Sequence, residues 1–309
     1  MMMLFDVGLV VVLLGLAAWV VLARNAFAAV AAFIAYGLLL TLAWLQLHGI
    51  DIALTEAAIG GGLTGALLIG AVTRLGSAPP IAPATSMTLA LAAVAAAATT
   101  AILAACVLAL PDPAPTLAPL VADNIAATGV GNAITAVLLS FRSMDTLLEA
   151  IVLLFALVGA WSLGADSAWP GRPGFAQSAP PNGILAYLAR ILPPIGLVIG
   201  IYIFWTGADN PGGKFQGATI LAAMWLLTMA AGLTDAPRVG SRWLRAALVA
   251  GPLGFIAAGV LGSVSAGAFL ALPAGHAKPM ILAIEIALMP TLTLILALLI
   301  PGPPQRVTS

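Results

Sequence analysis

Long apolar runs dominate the chain, with little of the two-residue alternation that marks strands. Nine of them reach or approach the roughly 18–20 residues that cross a bilayer core of about 30 Å. They lie at 4–22, 26–46, 51–73, 86–110, 144–163, 184–206, 216–233, 244–263 and 279–300. Lipid offers no water to exposed backbone groups, so each run is predicted to be a helix. A further run, IAATGVGNAITAVLLSF (125–141), is short and interrupted by Gly129, Gly131 and Asn132, and reads as a re-entrant or interfacial helix. If it crossed instead, there would be ten spans and everything after it would invert. Two stretches rich in Pro and Gly, LPDPAPTLAPLVADN (110–124) and GADSAWPGRPGFAQSAPPNG (164–183), read as exposed linkers. The pattern therefore predicts an all-α polytopic membrane protein with about nine transmembrane helices in a 3+2+4 arrangement. Its expected domains are 1–80 (three spans), 81–165 (two spans with the short helix 125–141) and 184–309 (four spans).

Composition sharpens this reading. The chain is 62% hydrophobic and 7% charged, against about 25% charged in soluble domains. Net charge is zero, so no nucleic-acid partner is expected. The opening MMMLFDVGLVVVLLGLAAWVVLARN carries Asp6 in place of a basic n-region, and its apolar stretch is too long for a signal peptide, so it is expected to be an uncleaved first span. Nine spans put Arg24, Arg74, Arg172, Arg190, Arg238, Arg242, Arg245 and Arg306 on one side, against Arg142, Lys214 and Lys278 on the other. Positive charge favours the cytoplasmic side, so the N-terminus is expected outside and the C-terminus in the cytoplasm. Cys106 is the only cysteine, which excludes an internal disulfide; in its apolar run it reads as a small buried hydrophobe. His48 and His276 stand alone in loops, so neither a metal site nor a cofactor is expected.

The charges inside the runs carry the chemistry. Glu56 lies early in the third span, and Glu285 early in the ninth. Asp145 and Glu149, four apart at the start of the fifth, share a helix face. Asp209 and Lys214 flank the break between the sixth and seventh. An acid at the bilayer centre costs about 2.5–3.5 kcal/mol on insertion scales and by default marks a proton or cation path. The plainer alternative is solvation near an interface, with Arg142 within reach of Glu149. Asp51 and Asp145 read more simply as span-end or N-cap residues. With nine spans, Glu56, Glu149 and Glu285 all fall in the outer half and are expected to line one entry route. Gly61-x-x-x-Gly65 and Gly196-x-x-x-Gly200 are helix-packing spacings. The triplet Gly60, Gly61, Gly62 after Glu56 goes further and would admit a π-bulge. Pro211, Gly212 and Gly213 in GADNPGGKFQGATI (207–220) enforce a tight break.

Four of these segments resemble one family. PGGKFQGATILAA is similar to the B subunit of Mrp-type multisubunit sodium/proton antiporters, where the pattern is close to PGGGFQGG, and ILAIEIALMPTLTLILALL resembles the end of that domain. DIALTEAAIGGGLTGALL is similar to the small domain near the end of the large A subunit. NAITAVLLSFRSMDTLLEAIVLLFALVGAWSL resembles the domain that follows it there. Membrane-bound hydrogenases carry these domains as separate D, E and F subunits. On this resemblance Glu56, Asp145, Glu149 and Glu285 match family acids, and Pro211, Gly212, Gly213, Phe215 and Gln216 match the B-subunit loop. Lys214 and Ala218 stand where the family has glycines, and Ala208-Asp209 where a histidine is common. The resemblance therefore carries no histidine-dependent step to this loop. Lys214 becomes a candidate partner of Asp209.

The resemblance implies an accessory subunit of a sodium/proton antiporter complex in the cytoplasmic (inner) membrane. It would complete a path for Na+ and H+ and dock large antiporter-like subunits, small Mrp-type subunits and lipid. The fourteen-helix core of the large A subunit has no counterpart here, which is why the expected role is accessory. The path residues would be Glu56, Asp145, Glu149, Glu285, Lys214 and Asp209. The competing readings are a subunit of a redox-driven ion pump of the membrane-bound hydrogenase type, and an adaptor without its own ion path. A self-sufficient transporter lacks support, because no inverted repeat is visible. No nucleophile–base set points to an enzyme.

Overall fold

The computed structural model describes residues 2–75, 84–174, 180, 182–273 and 275–306. The expected domain boundary at 80/81 lies outside them. The described residues are almost wholly helical. In order they form α1 (Met2–Leu22), α2 (Ala26–Gln46), α3 (Ile50–Thr55), a π-helix (Glu56–Leu63) and α4 (Thr64–Leu75). Next come α5 (Ser86–Leu108), α6 (Ala118–Thr128), α7 (Ala133–Ala136) with a π-turn (Val137–Phe141), and α8 (Ser143–Ser162). After a 3-10 turn (Asp166–Ala168) follow β1 (Arg172–Pro173), α9 (Ile184–Thr206), α10 (Lys214–Ala230), α11 (Arg242–Ala266), α12 (Ala277–Leu299) and β2 (Pro304–Arg306).

Eight helical segments among the described residues are long and apolar enough to cross a membrane, the α3–π–α4 unit counting as one. The seventh expected span is the exception. Its helix, α10, has 17 residues, about 25 Å at 1.5 Å per residue. The expected run continued to 233, but the chain turns away earlier. Gly232 takes φ 71°, and the N–H groups of Leu233 and Thr234 both fold back onto the Thr228 carbonyl. The ambiguous run 125–141 is a broken helix: α6 and the α7–π-turn segment meet at 84°. Gly129 ends α6 at φ 68°, and the Asn132 carboxamide oxygen caps α7 by accepting from the Ile134 N–H at 2.9 Å.

The core forms around α12, which packs against α8, α10 and α11. Ile281, Ile284, Leu288, Leu292, Ile295 and Leu296 are buried along it. Thr291 of α12 is wedged into the backbone ladder of α11, donating to the Ala247 carbonyl at 2.8 Å and accepting from the Gly251 N–H at 3.0 Å. Beside this wedge lies Pro252, whose ring removes a backbone donor from α11.

Small residues bring helices together where the glycine spacings suggest. Gly200 and Gly217 lie at the crossing of α9 and α10, where a Cβ on Gly217 would stand 2.7 Å from the Gly200 carbonyl oxygen. Gly61 lies against the backbone of Gly37 on α2, and Gly65 against the Ile34 side chain. α5 stands apart: none of its described residues is buried, and Cys106 on it is exposed. The expectation of a buried cysteine is thus corrected, because no described residue of α5 is buried against the rest of the bundle.

Opposite ends of the bundle are tied differently. The loops 47–49, 129–132 and 207–213 converge at one end. At the other, β1 pairs with β2 antiparallel, Arg172 opposite Arg306. Asp235 there receives the Arg306 guanidinium on both oxygens, at 2.5 and 3.0 Å, with Arg172 Nε 3.6 Å away. Arg172 also donates to the Ala236 carbonyl. The hydrogen bond and charge of Arg306 hold the Asp235 carboxyl below its ordinary 3.8.

Two outcomes test this packing. Gly217→Ala should lower the thermal midpoint in detergent, read by tryptophan fluorescence, at a cost of about 1–3 kcal/mol for overpacking. Gly15→Ala, on an α1 face with nothing within 4 Å, should not lower it. The Asp235 clamp contributes stability that is complete above the unfolded-state value of about 4 and is lost as pH falls through the lower folded-state value. Acid melts of Asp235→Asn should therefore lack the part of the pH dependence that the unmodified chain shows in that window.

Candidate functional site

A cavity of about 230 Å³ opens at the end of the bundle where loop 207–213 meets α3. Its polar lining comes from Asp51 and Thr55 of α3, Thr135 of α7, Glu149 of α8, Lys214 and Gln216 of α10, and Glu285 of α12. At about 30 Å³ per molecule it has room for several waters.

The loop explains how α10 starts here. Gly212 and Gly213 take φ 144° and 138°, in a region that side chains disfavour. A Cβ on Gly212 would collide with the Ile203 carbonyl oxygen, while the Gly213 N–H donates to that oxygen at 3.1 Å. Lys214 is thereby delivered as the first residue of α10, and it is 4% exposed. Its Nζ lies 5.2 Å from the centroid of the Phe215 ring. Glu285 is 2% exposed, and its Oε2 has no hydrogen-bond partner. The Lys214 backbone N–H is directed at that carboxyl, and the ammonium acts electrostatically on both Glu285 and Glu149. Glu149 also lines the cavity and is exposed.

Asp51 ties three segments together. Its Oδ1 accepts from the Gly212 N–H at 2.9 Å and from Asn132 Nδ2 at 3.2 Å. Asn132 Nδ2 also donates to the Asn210 carbonyl at 2.9 Å. Gln216 Nε2 reaches Thr55 Oγ1 at 3.0 Å. Around them the two breaks satisfy one another. The Gly131 and Asn132 N–H groups donate to the Ala208 carbonyl, both at 3.0 Å, and Thr135 Oγ1 donates to the Gly207 carbonyl at 2.6 Å.

Of the path residues expected from sequence, Glu149, Glu285 and Lys214 meet at this cavity, walled by Gly212 and Gly213. Glu56 does not line it. It follows Thr55 by one residue, about 100° around the helix, and its carboxylate faces α2 instead. There a Cβ on Gly60 would strike it, and one on Gly37 would lie 3.5 Å from Oε1. Gly60 thus leaves the space that the folded-back Glu56 carboxylate fills, and Gly61 admits the close approach of α2. Gly62 shares the π-helix. Asp145 pairs with Arg142 at 2.6 Å on the surface, so Arg142 is engaged by Asp145.

The proposed partner of Asp209 is corrected. Both its oxygens accept from Lys278 Nζ at 2.7 Å, and Oδ1 accepts from the Gly131 N–H at 3.0 Å. Lys214 is buried instead. The Lys278 hydrogen bond holds the Asp209 carboxyl below its ordinary range. Asp51, Thr55, Asn132 and Thr135 are the site residues that sequence reasoning missed. Asp51, Thr55 and Ile59 recur every four residues, the spacing of one helix face, and that was the available signal.

Comparison with known proteins now decides the kind of chain. The MbhD family, the D-type component of MBH, matches residues 11–77. The "Domain related to MnhB subunit of Na+/H+ antiporter" matches residues 184–302. The chain thus carries a segment similar to the MbhD family and, after it, a domain similar to the MnhB-related one. An uncharacterized protein of Methanocaldococcus jannaschii is 26% identical over 145 residues, covering 41% of this chain and 54% of the relative. A chain of the Mrp complex of Dietzia sp. DQ12-45-1b shares the fold with TM-score 0.74 and 24% identity, over 97% of this chain and 35% of that one. A chain of the membrane-bound sulfane sulfur reductase, an archaeal respiratory membrane complex, matches with TM-score 0.54 and 23% identity, over 68% of this chain and 96% of that one. The chain thus spans about half of its curated relative and about a third of the Dietzia chain.

The Asp51 junction gives a direct expectation. Asp51→Ala removes two hydrogen bonds to a carboxylate, each worth about 1.5–3 kcal/mol. It should lower the thermal midpoint more than Asp51→Asn, which keeps an acceptor oxygen.

Proposed function

We propose that this protein is an accessory subunit of a monovalent cation/proton antiporter complex, in which it supplies part of the transmembrane proton or ion path and docks neighbouring subunits. The observation that carries the reading is the cavity itself: three carboxyls and an ammonium, on helices of the B-like domain and of the segments before it, gathered at one end of the membrane helices. Ionisable groups in such places mark ion and proton pathways. The Mrp-type fold along 97% of the chain supports the same reading.

In this proposal Glu149 and Glu285 handle the proton, with Lys214 as their countercharge. Residues 81–165 serve as an E-like two-span segment between the D-like and B-like domains. The Asp51 end faces outward and the Arg-rich Asp235 end faces the cytoplasm, in the cytoplasmic membrane. The partners are large antiporter-like subunits and small Mrp-type subunits. The fold shared with the sulfane sulfur reductase chain supports a second reading, a subunit of a redox-driven ion pump.

Gentle-detergent purification of the tagged chain from its own membranes should bring along multi-span antiporter-like subunits. Co-purifying iron–sulfur proteins would favour the redox pump, and a chain that emerges alone would defeat both. Glu149→Gln should leave that assembly intact and reduce sodium-driven proton movement in inverted vesicles. Unchanged exchange would remove Glu149 from the path.

A further inference from the structure

Lys214 sits where a cation is hardest to keep. It is the first residue of α10 and buried. A helix N-terminus carries partial positive charge and favours anions, and burial penalises an unpaired ammonium. Two carboxyls across the cavity offset part of these costs, Glu285 from α12 and Glu149 from α8. Among the described residues no carboxylate oxygen comes within 4.0 Å of Nζ, so Lys214 lines the cavity without being locked to one acid. Asp51 accepts from Gly212 and Asn132 on one oxygen, and those neutral donors leave its charge in place. The charged groups at the cavity are therefore one ammonium and three carboxyls, one of which has a buried oxygen with no partner. One ammonium and two protons neutralise that set.

Among the described residues no three acid, histidine or cysteine side chains converge as metal ligands. A metal cation drawing instead on the hydroxyl, amide and carbonyl oxygens of the lining would share the cavity with the Lys214 ammonium and be repelled by it. A proton needs a single oxygen. The geometry points to Lys214 as the resident cation of this cavity: its ammonium takes the place of a transported metal ion, so the cavity passes protons and rejects sodium. This rests on the reading of the cavity as part of an ion path, and it assigns any sodium the complex moves to another route.

The test is carboxyl labelling by dicyclohexylcarbodiimide, which attacks protonated acids in apolar sites. It is read peptide by peptide at Glu149 and Glu285 in native membranes, with sodium or with choline as the cation. The unmodified chain and Lys214→Arg should label at the same rate in either salt. Lys214→Met should become sodium-protected, with labelling slowed about tenfold once sodium exceeds its dissociation constant about tenfold. Sodium protection in the unmodified chain would overturn the assignment. So would a Lys214→Met chain that keeps its thermal midpoint and gains no protection. Labelling is read on this chain alone, so it stands apart from purification: a chain without partners defeats the subunit reading and leaves the labelling result intact.

Discussion

Where membrane helices stop, their freed backbone groups must be paired, and lipid supplies no water to do it. This chain meets that constraint by setting the break between α6 and α7 against the turn between α9 and α10, so that the two satisfy each other. The α9–α10 break exposes the carbonyls of Gly207, Ala208 and Asn210. The α6–α7 break supplies the donors Gly131 N–H, Asn132 N–H, the Asn132 carboxamide and the Thr135 hydroxyl. Asp51 closes the remaining gap from a third helix. The cavity, the start of α10 and the position of Lys214 all follow from this junction.

The two ends of the bundle use different forces. The Asp235 end is held by arginine–carboxylate pairs, which are partly exposed and weaken with salt. The Asp51 end relies mostly on short hydrogen bonds to backbone carbonyls, with the Lys278–Asp209 pair at its rim. Such bonds depend on geometry more than on ionic strength. Changes in ionic strength would leave the architecture of that end largely undisturbed.

Much of the fold was legible because apolar length alone identifies a span. The glycine pairs at 61/65 and 196/200 read as close approaches, and Gly61, Gly65 and Gly200 lie at them because a missing side chain has few other uses on an apolar helix. What stayed hidden was pairing across long separations. Asp209 sits five residues from Lys214 and sixty-nine from Lys278, and proximity in sequence suggested the wrong lysine. Asp51 looked like a span-end or N-cap residue; it is the second residue of α3, whose N-cap is Gly49, and its side chain is engaged by Gly212 and Asn132. Glu56 stood out as the buried acid, yet the helical turn sends it to α2 while its neighbour Thr55 faces the cavity. Glu285 was readable because a carboxylate amid ILAIEIALMP has no cheap alternative to a partner.

The Asp51–Gly212 hydrogen bond joins residues 161 positions apart, one in the D-like segment and one in the B-like domain. Between separate proteins that contact would pay the entropy of association and depend on how much of each partner the cell makes. In a fused chain it is intramolecular, and tethering sets an effective concentration of the order of millimolar for short flexible links. Fusion also fixes the two halves at one-to-one, so every copy that inserts brings both walls of the cavity with it.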